Sequence, residues 1–338
     1  MTELRKVAIV GSARIPFARG NTAYVAETNL SLLGTVLSGL ADKYGLKGEK
    51  IDEVMAGAVV GHSRDFNLAR EALLDAGLSL RTPGTTMQIA CGTSLQAALA
   101  LAAKIASGEI DSGIAAGSDT VSDSPIVFGN KFQHRLLDVN KARSTGEKFK
   151  AFKGFSFGEL TPVAPSVNEP RTGLSMGQHC ELMAREWGIT RQAQDELAVA
   201  SHRNAAKAYD EGFHDDLLVQ CAGLVRDNNV RADANLEKMA TLKPAFDKAS
   251  GHGTLTAGNS TPLTDGASAV LLAREDWAKA HGLPILAYLT TGRVAGNDFA
   301  HGEGLLMAPT IAVSEMLARH DLSFADIDFF ELHEAFAA

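Results

Sequence analysis

The residue with the clearest chemical potential is Cys91, in the segment TTMQIACGTSLQAALALAAKIASGE. The sequence predicts a strand over residues 85–90 and a helix over residues 93–108. A thiol between them would face the positive end of the helix macrodipole and unpaired backbone N–H groups, which favour the thiolate. An unperturbed thiol, with a pKa of about 8.5, is mostly protonated at neutral pH. This position fits a nucleophile, and it also fits an inert core cysteine, because free cysteine is often buried.

A second candidate is His333, in the segment FFELHEAFAA. Zinc chemistry of the HExxH type is excluded, because Ala337 stands where the second histidine would be. The sequence predicts a strand over residues 326–336 that runs into a turn, and open α/β sheets place ligands at the carboxyl ends of strands. Because Cys91 also follows a predicted strand, we expect the two side chains to converge on one pocket if the two halves of the chain are related.

A third segment, GTLTAGNSTPLTDGASAVLL over residues 253–272, combines glycines and small hydroxyl side chains with Asn259 and Asp265. It predicts either a turn held by Asn and Asp hydrogen bonds or a backbone-rich wall against an extended polar ligand. The sequence contains no GxGxxG motif, no P-loop and no GxSxG elbow.

The elements that must position these residues follow an alternating pattern. Strands are predicted over residues 6–12, 51–60, 85–90 and 112–117, with helices over 30–44, capped by Asn29, and over 67–77 and 93–108. This alternation indicates a mainly parallel sheet covered on both faces. Residues 118–254 lose the pattern and predict an insertion with its own helices at 177–187 and 191–212. After residue 254 the sequence predicts a strand and helix, a strand over 285–296, a helix over 308–320 and the strand before His333.

We therefore expect two similar α/β halves around an inserted loop domain. The predicted divisions are an N-terminal half, the insertion and a C-terminal half, over residues 1–120, 121–252 and 253–338.

Composition limits the class of protein. The chain has 338 residues, of which 45% are hydrophobic and 32 are glycine, as suits an α/β enzyme. A net charge of −8 argues against a general nucleic-acid binder. Three scattered cysteines without a CxxC pair exclude a disulfide framework and most zinc sites. Without a signal peptide or an apolar run that could span a bilayer, the sequence predicts a soluble cytoplasmic protein.

Several segments resemble signatures of the thiolase family. QIACGTSLQAALAL looks like the family's nucleophile segment, and SARIPFARG resembles its Arg-x-Pro-Phe segment. Four further matches follow in the family's order: AAGSDTVSDSP, MGQHCELMA, GTLTAGNSTPLTDGASAVLL and ELHEAFAA. The resemblance covers essentially the whole chain and implies a five-layered αβαβα fold of two duplicated halves.

The resemblance implies a role for each candidate residue. Cys91 would take an acyl group from acyl-CoA as a thioester. His333, where most thiolases have Asn, would help to form the oxyanion hole through a water. The sequence His333-Glu334, in place of the usual Asn-Glu, resembles the branch that contains the thiolases of fatty-acid oxidation complexes. Four residues would line the tunnel for the acyl chain and pantetheine: Met176, Ser260, Thr261 and Phe336. Met176 and Phe336 could instead be ordinary core residues.

The implied reaction is thiolytic cleavage of a 3-ketoacyl-CoA by CoA to acetyl-CoA and a shortened acyl-CoA, with Claisen condensation as the reverse. Neither a metal nor a cofactor is expected, because the thioester makes the α-proton acidic and the oxyanion hole stabilises the negative charge; CoA is a substrate. The expected partners are acyl-CoA, CoA, a second copy of the chain in a homodimer or homotetramer, and a hydratase/dehydrogenase subunit of a fatty-acid oxidation complex.

The sequence departs from the family pattern in one respect. Thiolases continue with a Gly-His-Pro segment and a second cysteine that acts as acid and base, and neither occurs here. Cys180 and Cys221 lie in the insertion outside such motifs, and we expect Cys180 to be structural. We accordingly expect the sequence to be truncated at Ala338.

The insertion begins with a basic stretch over residues 131–153. It predicts either a solvated face or a patch that attracts the phosphates of CoA. By resemblance, the insertion would also contribute to tetramer formation or to membrane or partner contacts.

Other functions remain open from the sequence. A biosynthetic acetoacetyl-CoA thiolase and a ketoacyl-synthase-like condensing enzyme share the implied architecture. A non-catalytic protein that binds acyl-CoA is the alternative if the chain ends at Ala338.

Overall fold

The computed structural model describes residues 4–338. Its strands are β1 Val7–Arg14, β2 Ala18–Arg19, β3 Glu53–Gly57, β4 Gly84–Thr86, β5 Ser112–Asp119, β6 Val127–Phe128, β7 Pro162–Val163, β8 Thr264–Arg274 and β9 Ala287–Tyr288. Its α-helices are α1 Asn29–Lys43, α2 Leu68–Asp75, α3 Thr93–Ser107, α4 Asn130–Lys141, α5 Thr145–Ala151, α6 Met176–Glu186, α7 Arg191–Asp210, α8 Leu236–Ala240, α9 Glu275–Ala280 and α10 Ala308–Arg319.

The helices begin and end at local signals. A capping box fixes the start of α1, where the Thr28 side chain accepts from the Ser31 N–H and the Ser31 hydroxyl binds the Thr28 N–H. The predicted cap Asn29 is wrong by one residue, because Asn29 is already helical. Gly108 ends α3 in the left-handed conformation that glycine adopts without strain.

A seven-stranded sheet lies at the centre, in the order β4-β3-β5-β8-β1-β9, with β2 paired to the outer part of β8. β4, β3 and β5 run parallel, but β8 runs antiparallel to both of its neighbours, β5 and β1. The prediction of a mainly parallel sheet is therefore wrong, because β8 enters the sheet in the opposite direction. β8 begins after the domain boundary predicted at residue 253, yet it pairs with β1 and β5, two strands of the predicted N-terminal half.

Helices cover both faces of this sheet. α1 and α2 pack on one face, where Val54, Ala56 and Ile114 are buried. α3 packs on the other face, against Met55 and Ala115. This alternation of neighbouring residues between the two faces is the period of a β-strand. α1 with α2, the sheet and α3 thus form three consecutive layers of the predicted αβαβα fold.

The residues between β5 and β8 include the insertion predicted over residues 121–252, whose boundaries stay a prediction. These residues contain α4 to α8 and a separate two-stranded sheet of β6 and β7. The predicted helices at 177–187 and 191–212 are present as α6 and α7. Within the described residues, no helix combines the length and apolar character that crossing a bilayer requires.

The C-terminal segment departs furthest from expectation. α10 forms as predicted, but the strand predicted over 285–296 is reduced to β9, with two residues. Residues 327–334 have no regular structure, so the strand predicted before His333 is wrong. A strand needs a neighbour for its backbone hydrogen bonds, and no strand within residues 4–338 pairs with this run.

Candidate active site

Cys91 lies in a tight turn directly before α3. The predicted strand before it ends at Thr86, so residues 87–92 form an irregular segment rather than the end of a strand. Ala90 has a φ of 45°, which is unfavourable for a residue with a side chain. Buried Thr93 holds the turn, because its hydroxyl accepts from the Ile89 N–H at 3.0 Å and donates to the Ala90 carbonyl at 2.7 Å. The turn leaves Cys91 exposed, one residue before the N-terminal cap Gly92.

Two glycines of the sheet allow this turn to pack closely on the strand ends. A Cβ at Gly57, the last residue of β3, would overlap the Met87 carbonyl oxygen. A Cβ at Gly117, in β5, would overlap the Ser94 hydroxyl. The turn carrying Cys91 therefore rests directly on β3, and the first turn of α3 rests on β5.

His333 is exposed, in a corner of irregular chain. Within residues 4–338, its imidazole makes no hydrogen bond, and none joins it to Cys91. The next residue is anchored: the Ser201 hydroxyl of α7 donates to Glu334 at 2.6 Å. The convergence of Cys91 and His333 stays a prediction.

Phe246 contacts one of the four residues predicted to line a tunnel, Phe336, and the chain neighbour of a second, Met176. Its ring contacts Phe336 edge to face, with ring centres 5.7 Å apart. It also covers Gly177, the residue after Met176, where a Cβ would overlap the ring. Ser260 forms a backbone bridge with Phe336. The N–H of the next residue, Thr261, donates to the Ala335 carbonyl at 2.9 Å.

Ser260 adds a polar group to this cluster. Its hydroxyl is buried and has no hydrogen-bond partner among residues 4–338. A buried hydroxyl without a partner is uncommon and calls for an explanation. A polar atom of a bound substrate would satisfy it.

Sequence reasoning missed Phe246 and two buried acids, Glu181 on α6 and Asp195 on α7. Glu181 accepts hydrogen bonds from the backbone N–H groups of Thr254 and Leu255. Asp195 accepts from the Asn259 side chain at 2.9 Å and pairs with Arg191. One signal could have found both acids, because each occupies a position on the buried face of its helix.

The segment over residues 253–272 is held by its own Asn and Asp, as the turn interpretation expects. Asn259 accepts from the Thr256 N–H at 2.7 Å, and buried Asp265 accepts from the Val121 N–H at 2.7 Å. Burial raises the pKa of nearby Asp119, and the negative charge of Asp265 adds to this, against hydrogen bonds from the Val59 and Val60 N–H groups.

The two other cysteines differ from Cys91. Cys180 and Cys221 are buried. Burial, followed by the neighbouring Glu181, raises the pKa of the Cys180 thiol to about 11. Burial also raises the pKa of Cys221. No three His, Cys, Asp or Glu side chains within residues 4–338 come together as a metal site requires.

The basic stretch forms α4 and α5. Arg135 is not a free charge, because it pairs with Glu159 at 2.5 Å and donates to the carbonyls of Ala151 and Lys153. Lys148 and Lys150 are exposed on α5. These two lysines and the other exposed basic residues of the stretch, rather than Arg135, would have to attract CoA, and this interpretation stays a prediction.

Comparison with known proteins gives matches along the chain. The model of the thiolase N-terminal domain matches residues 7–276, and that of the thiolase C-terminal domain matches residues 283–338. A 3-ketoacyl-CoA thiolase of Yersinia pestis (strain Pestoides F) is 40% identical over 339 residues, which cover 98% of this chain and 77% of the relative. The 3-ketoacyl-CoA thiolase of Yersinia pseudotuberculosis serotype O:3 (strain YPIII) matches equally well, with 40% identity over 98% of this chain and 77% of that protein.

Solved structures share the fold. The acetyl-CoA acetyltransferase of Bacillus anthracis has a TM-score of 0.84 and 29% identity, over 100% of this chain and 82% of that one. Human mitochondrial 3-ketoacyl-CoA thiolase has a TM-score of 0.84 and 26% identity, over 99% and 82%. The same human enzyme in complex with CoA has a TM-score of 0.83 and 27% identity, over 100% and 81%.

Proposed function

Because the chain belongs to the thiolase family, we propose that it is an acyltransferase that cleaves 3-ketoacyl-CoA with CoA through a Cys91 acyl-enzyme. The observation that carries the role of Cys91 is its placement: it is the one exposed cysteine in the described residues, in a turn at the start of α3. The relatives named as 3-ketoacyl-CoA thiolases support this substrate class.

The proposed reaction has two half-reactions. The Cys91 thiolate attacks the 3-keto carbon, the bond between C2 and C3 breaks, and acetyl-CoA leaves after its C2 carbanion takes a proton. The thiol of CoA then loses a proton and attacks the Cys91 thioester, which releases the shortened acyl-CoA and restores the thiolate. Over both half-reactions, the proton that the thiol of CoA releases balances the proton that the carbanion takes up.

We propose that His333 stabilises negative charge on the thioester oxygen and that Met176, Ser260, Thr261 and Phe336 bind the acyl chain and pantetheine. An oxyanion-hole donor is typically worth ~10²–10³ in rate. The cluster around Phe246 and the unpartnered Ser260 hydroxyl support the binding role. The reaction as proposed requires no metal or prosthetic group.

The test is the intact mass of the native gene product before and after incubation with acetoacetyl-CoA. We expect an acetyl adduct on the wild-type protein, its absence in Cys91→Ala, and its retention in the matched control Cys180→Ala. We also expect thiolysis to fall to background in Cys91→Ala. An adduct or thiolysis that persists in Cys91→Ala would contradict the assignment of the nucleophile.

A second candidate within the family is biosynthetic condensation of two acetyl-CoA molecules. The structural similarity to an acetyl-CoA acetyltransferase favours it, because its TM-score equals that of the human thiolase. The ratio of kcat/KM for acetoacetyl-CoA to that for longer 3-ketoacyl-CoA substrates separates the two functions.

We further propose that the protein is a homodimer or homotetramer. β4 is an edge strand of the sheet, and an unpaired edge readily takes up a second chain. Two exposed apolar residues lie near β4. Ile89 follows the strand by three residues, and Phe66 is 99% exposed. Phe66 precedes Asn67, whose side chain accepts from the hydroxyl of Thr86 in β4. The cytoplasmic location, the role in fatty-acid oxidation and the hydratase/dehydrogenase partner stay predictions.

A further inference from the structure

Helix α7 makes two separate connections to the corner that carries His333. The first is the hydrogen bond from the Ser201 hydroxyl to Glu334, the residue next to His333. The second begins at buried Asp195, which lies six residues earlier on α7. Both residues therefore act from one rigid element, and the proposed roles of Cys91 and His333 use neither of them.

The second connection runs through Asn259. Asp195 and Asn259 are 4% and 2% exposed, so their hydrogen bond of 2.9 Å is shielded from water. The Arg191 guanidinium fixes the other oxygen of Asp195 at 2.7 Å and donates to the Met239 carbonyl at 2.5 Å. A buried carboxylate with both oxygens occupied holds its partners in one arrangement.

Backbone hydrogen bonds connect Asn259 and its neighbour to the corner that carries His333. Its carbonyl accepts from the Ala337 N–H at 3.0 Å, and the Thr261 N–H donates to the Ala335 carbonyl at 2.9 Å. These two bonds flank Phe336. The backbone after His333 is thus tied to a loop whose own position depends on Asp195.

We propose that α7 is the positioning element of the His333 corner, with Asp195 acting through Asn259 on the backbone and Ser201 acting through Glu334. This inference rests on the proposed function for its effect on catalysis, but not for the structural link itself. Neither Asp195 nor Ser201 touches the reacting atoms. Each keeps the imidazole where charge develops on the substrate, and a small displacement of such a group costs rate.

The first test measures the link without any reaction. Amide hydrogen exchange is followed in peptides covering residues 256–261 and 333–338 of the native gene product. We expect Asp195→Ala and Ser201→Ala to speed exchange in the 333–338 peptide, Asp195→Ala also in the 256–261 peptide, and Ser201→Thr, which keeps the hydroxyl, to restore protection. The matched control is Glu196→Ala, because exposed Glu196 accepts only from Gln192. Unchanged exchange in both variants would overturn the proposal.

The second test asks whether the link acts through His333. We expect Ser201→Ala to lower kcat for thiolysis of acetoacetyl-CoA about tenfold, as the loss of one charge-assisted hydrogen bond predicts, with KM almost unchanged. In a His333→Ala background the same change should cost nothing further. An equal loss in both backgrounds would assign Ser201 a merely structural role and overturn the proposal. A wild-type protein with no thiolysis and no Cys91 adduct would instead reject the proposed function, and the exchange experiment would still decide the link.

Discussion

The three thiols of the chain differ in access to solvent. Cys91 is exposed, whereas Cys180 and Cys221 are buried with raised pKa values. Only the thiolate reacts with an alkylating reagent. Burial therefore protects Cys180 and Cys221 in two ways, by blocking access and by keeping the thiol protonated.

We therefore expect iodoacetamide at pH 7.5 to modify Cys91 much faster than the other two cysteines. Peptide mass spectrometry over a time course measures the three rates directly. Acetoacetyl-CoA added beforehand should slow modification of Cys91 alone, because the thioester occupies the sulfur. Modification of Cys180 at a rate equal to that of Cys91 in the folded protein would contradict this account.

At the residue scale, the sequence indicated candidate residues for the chemistry but not the residues that hold the surrounding segments in place. Cys91 and His333 stood out by type and position. Glu181 and Asp195 did not, because their importance comes from backbone groups and an amide more than 60 residues away in the chain, at Thr254 and Asn259. Contacts of that separation leave only an indirect trace in the sequence, here an acid on the apolar face of a helix.

At the scale of elements, the turn carrying Cys91 depends on the absence of side chains beneath it. Gly57 ends β3 where any Cβ would meet the Met87 carbonyl oxygen, which is backbone and cannot move aside alone. The turn is already constrained, because Ala90 has a positive φ and the Thr93 hydroxyl binds the backbone of Ile89 and Ala90.

Gly57→Ala should push this turn off the sheet. We expect a loss of about 1–3 kcal/mol in the free energy of unfolding, as overpacking usually costs, together with a fall in the rate of Cys91 acylation. Urea unfolding and the rate of adduct formation measure the two effects. Gly61→Ala is the control, because a Cβ there has nothing within 4 Å. Equal behaviour of the two variants would refute this explanation.

Helices were predicted better than strands, for a physical reason. The bonds and caps of a helix are local, so α3, α6, α7 and α10 could be read from nearby residues. Strands depend on partners elsewhere in the chain, and the apolar run before His333 looked like a strand but has no partner within the described residues. The direction of β8 was missed for the same reason, because the pattern within a strand does not tell which neighbours it will take.

At the scale of the whole molecule, the insertion is tied to the central sheet at the end of β1. Asp227 of the insertion accepts from the Arg14 guanidinium at 2.6 Å and from the Phe17 N–H at 2.6 Å. The side chains of this ion pair are 17% and 16% exposed. Removing one partner of a pair so little exposed to solvent costs more than removing one from an open surface pair, because the remaining charge is left partly buried.

Asp227→Asn should lower the free energy of unfolding by about 2 kcal/mol, the typical worth of a hydrogen bond to a charged group. The midpoint of urea unfolding measures this. Asp210→Asn is the matched control. Asp210 pairs with Arg226, and the two side chains are 69% and 43% exposed, so this pair should contribute well under about 1 kcal/mol. Similar midpoints for the two variants would show that the Asp227 pair does not anchor the insertion.

The central place of β8 has a consequence for how the chain reaches its native state. β1 and β5 are synthesised before the insertion, but they do not pair with each other. β8 pairs with both and lies between them, and it is synthesised only after the insertion. During synthesis the β5 edge of the half-sheet β4-β3-β5 and the strand β1 therefore stay without their β8 partner until residue 274 leaves the ribosome, and the insertion must fold or stay clear of them meanwhile. Pairing across so long a stretch is slow, and unpaired edges invite aggregation. Slow steps of refolding should accordingly coincide with the docking of β8, and the nascent chain should need protection most just before that strand emerges.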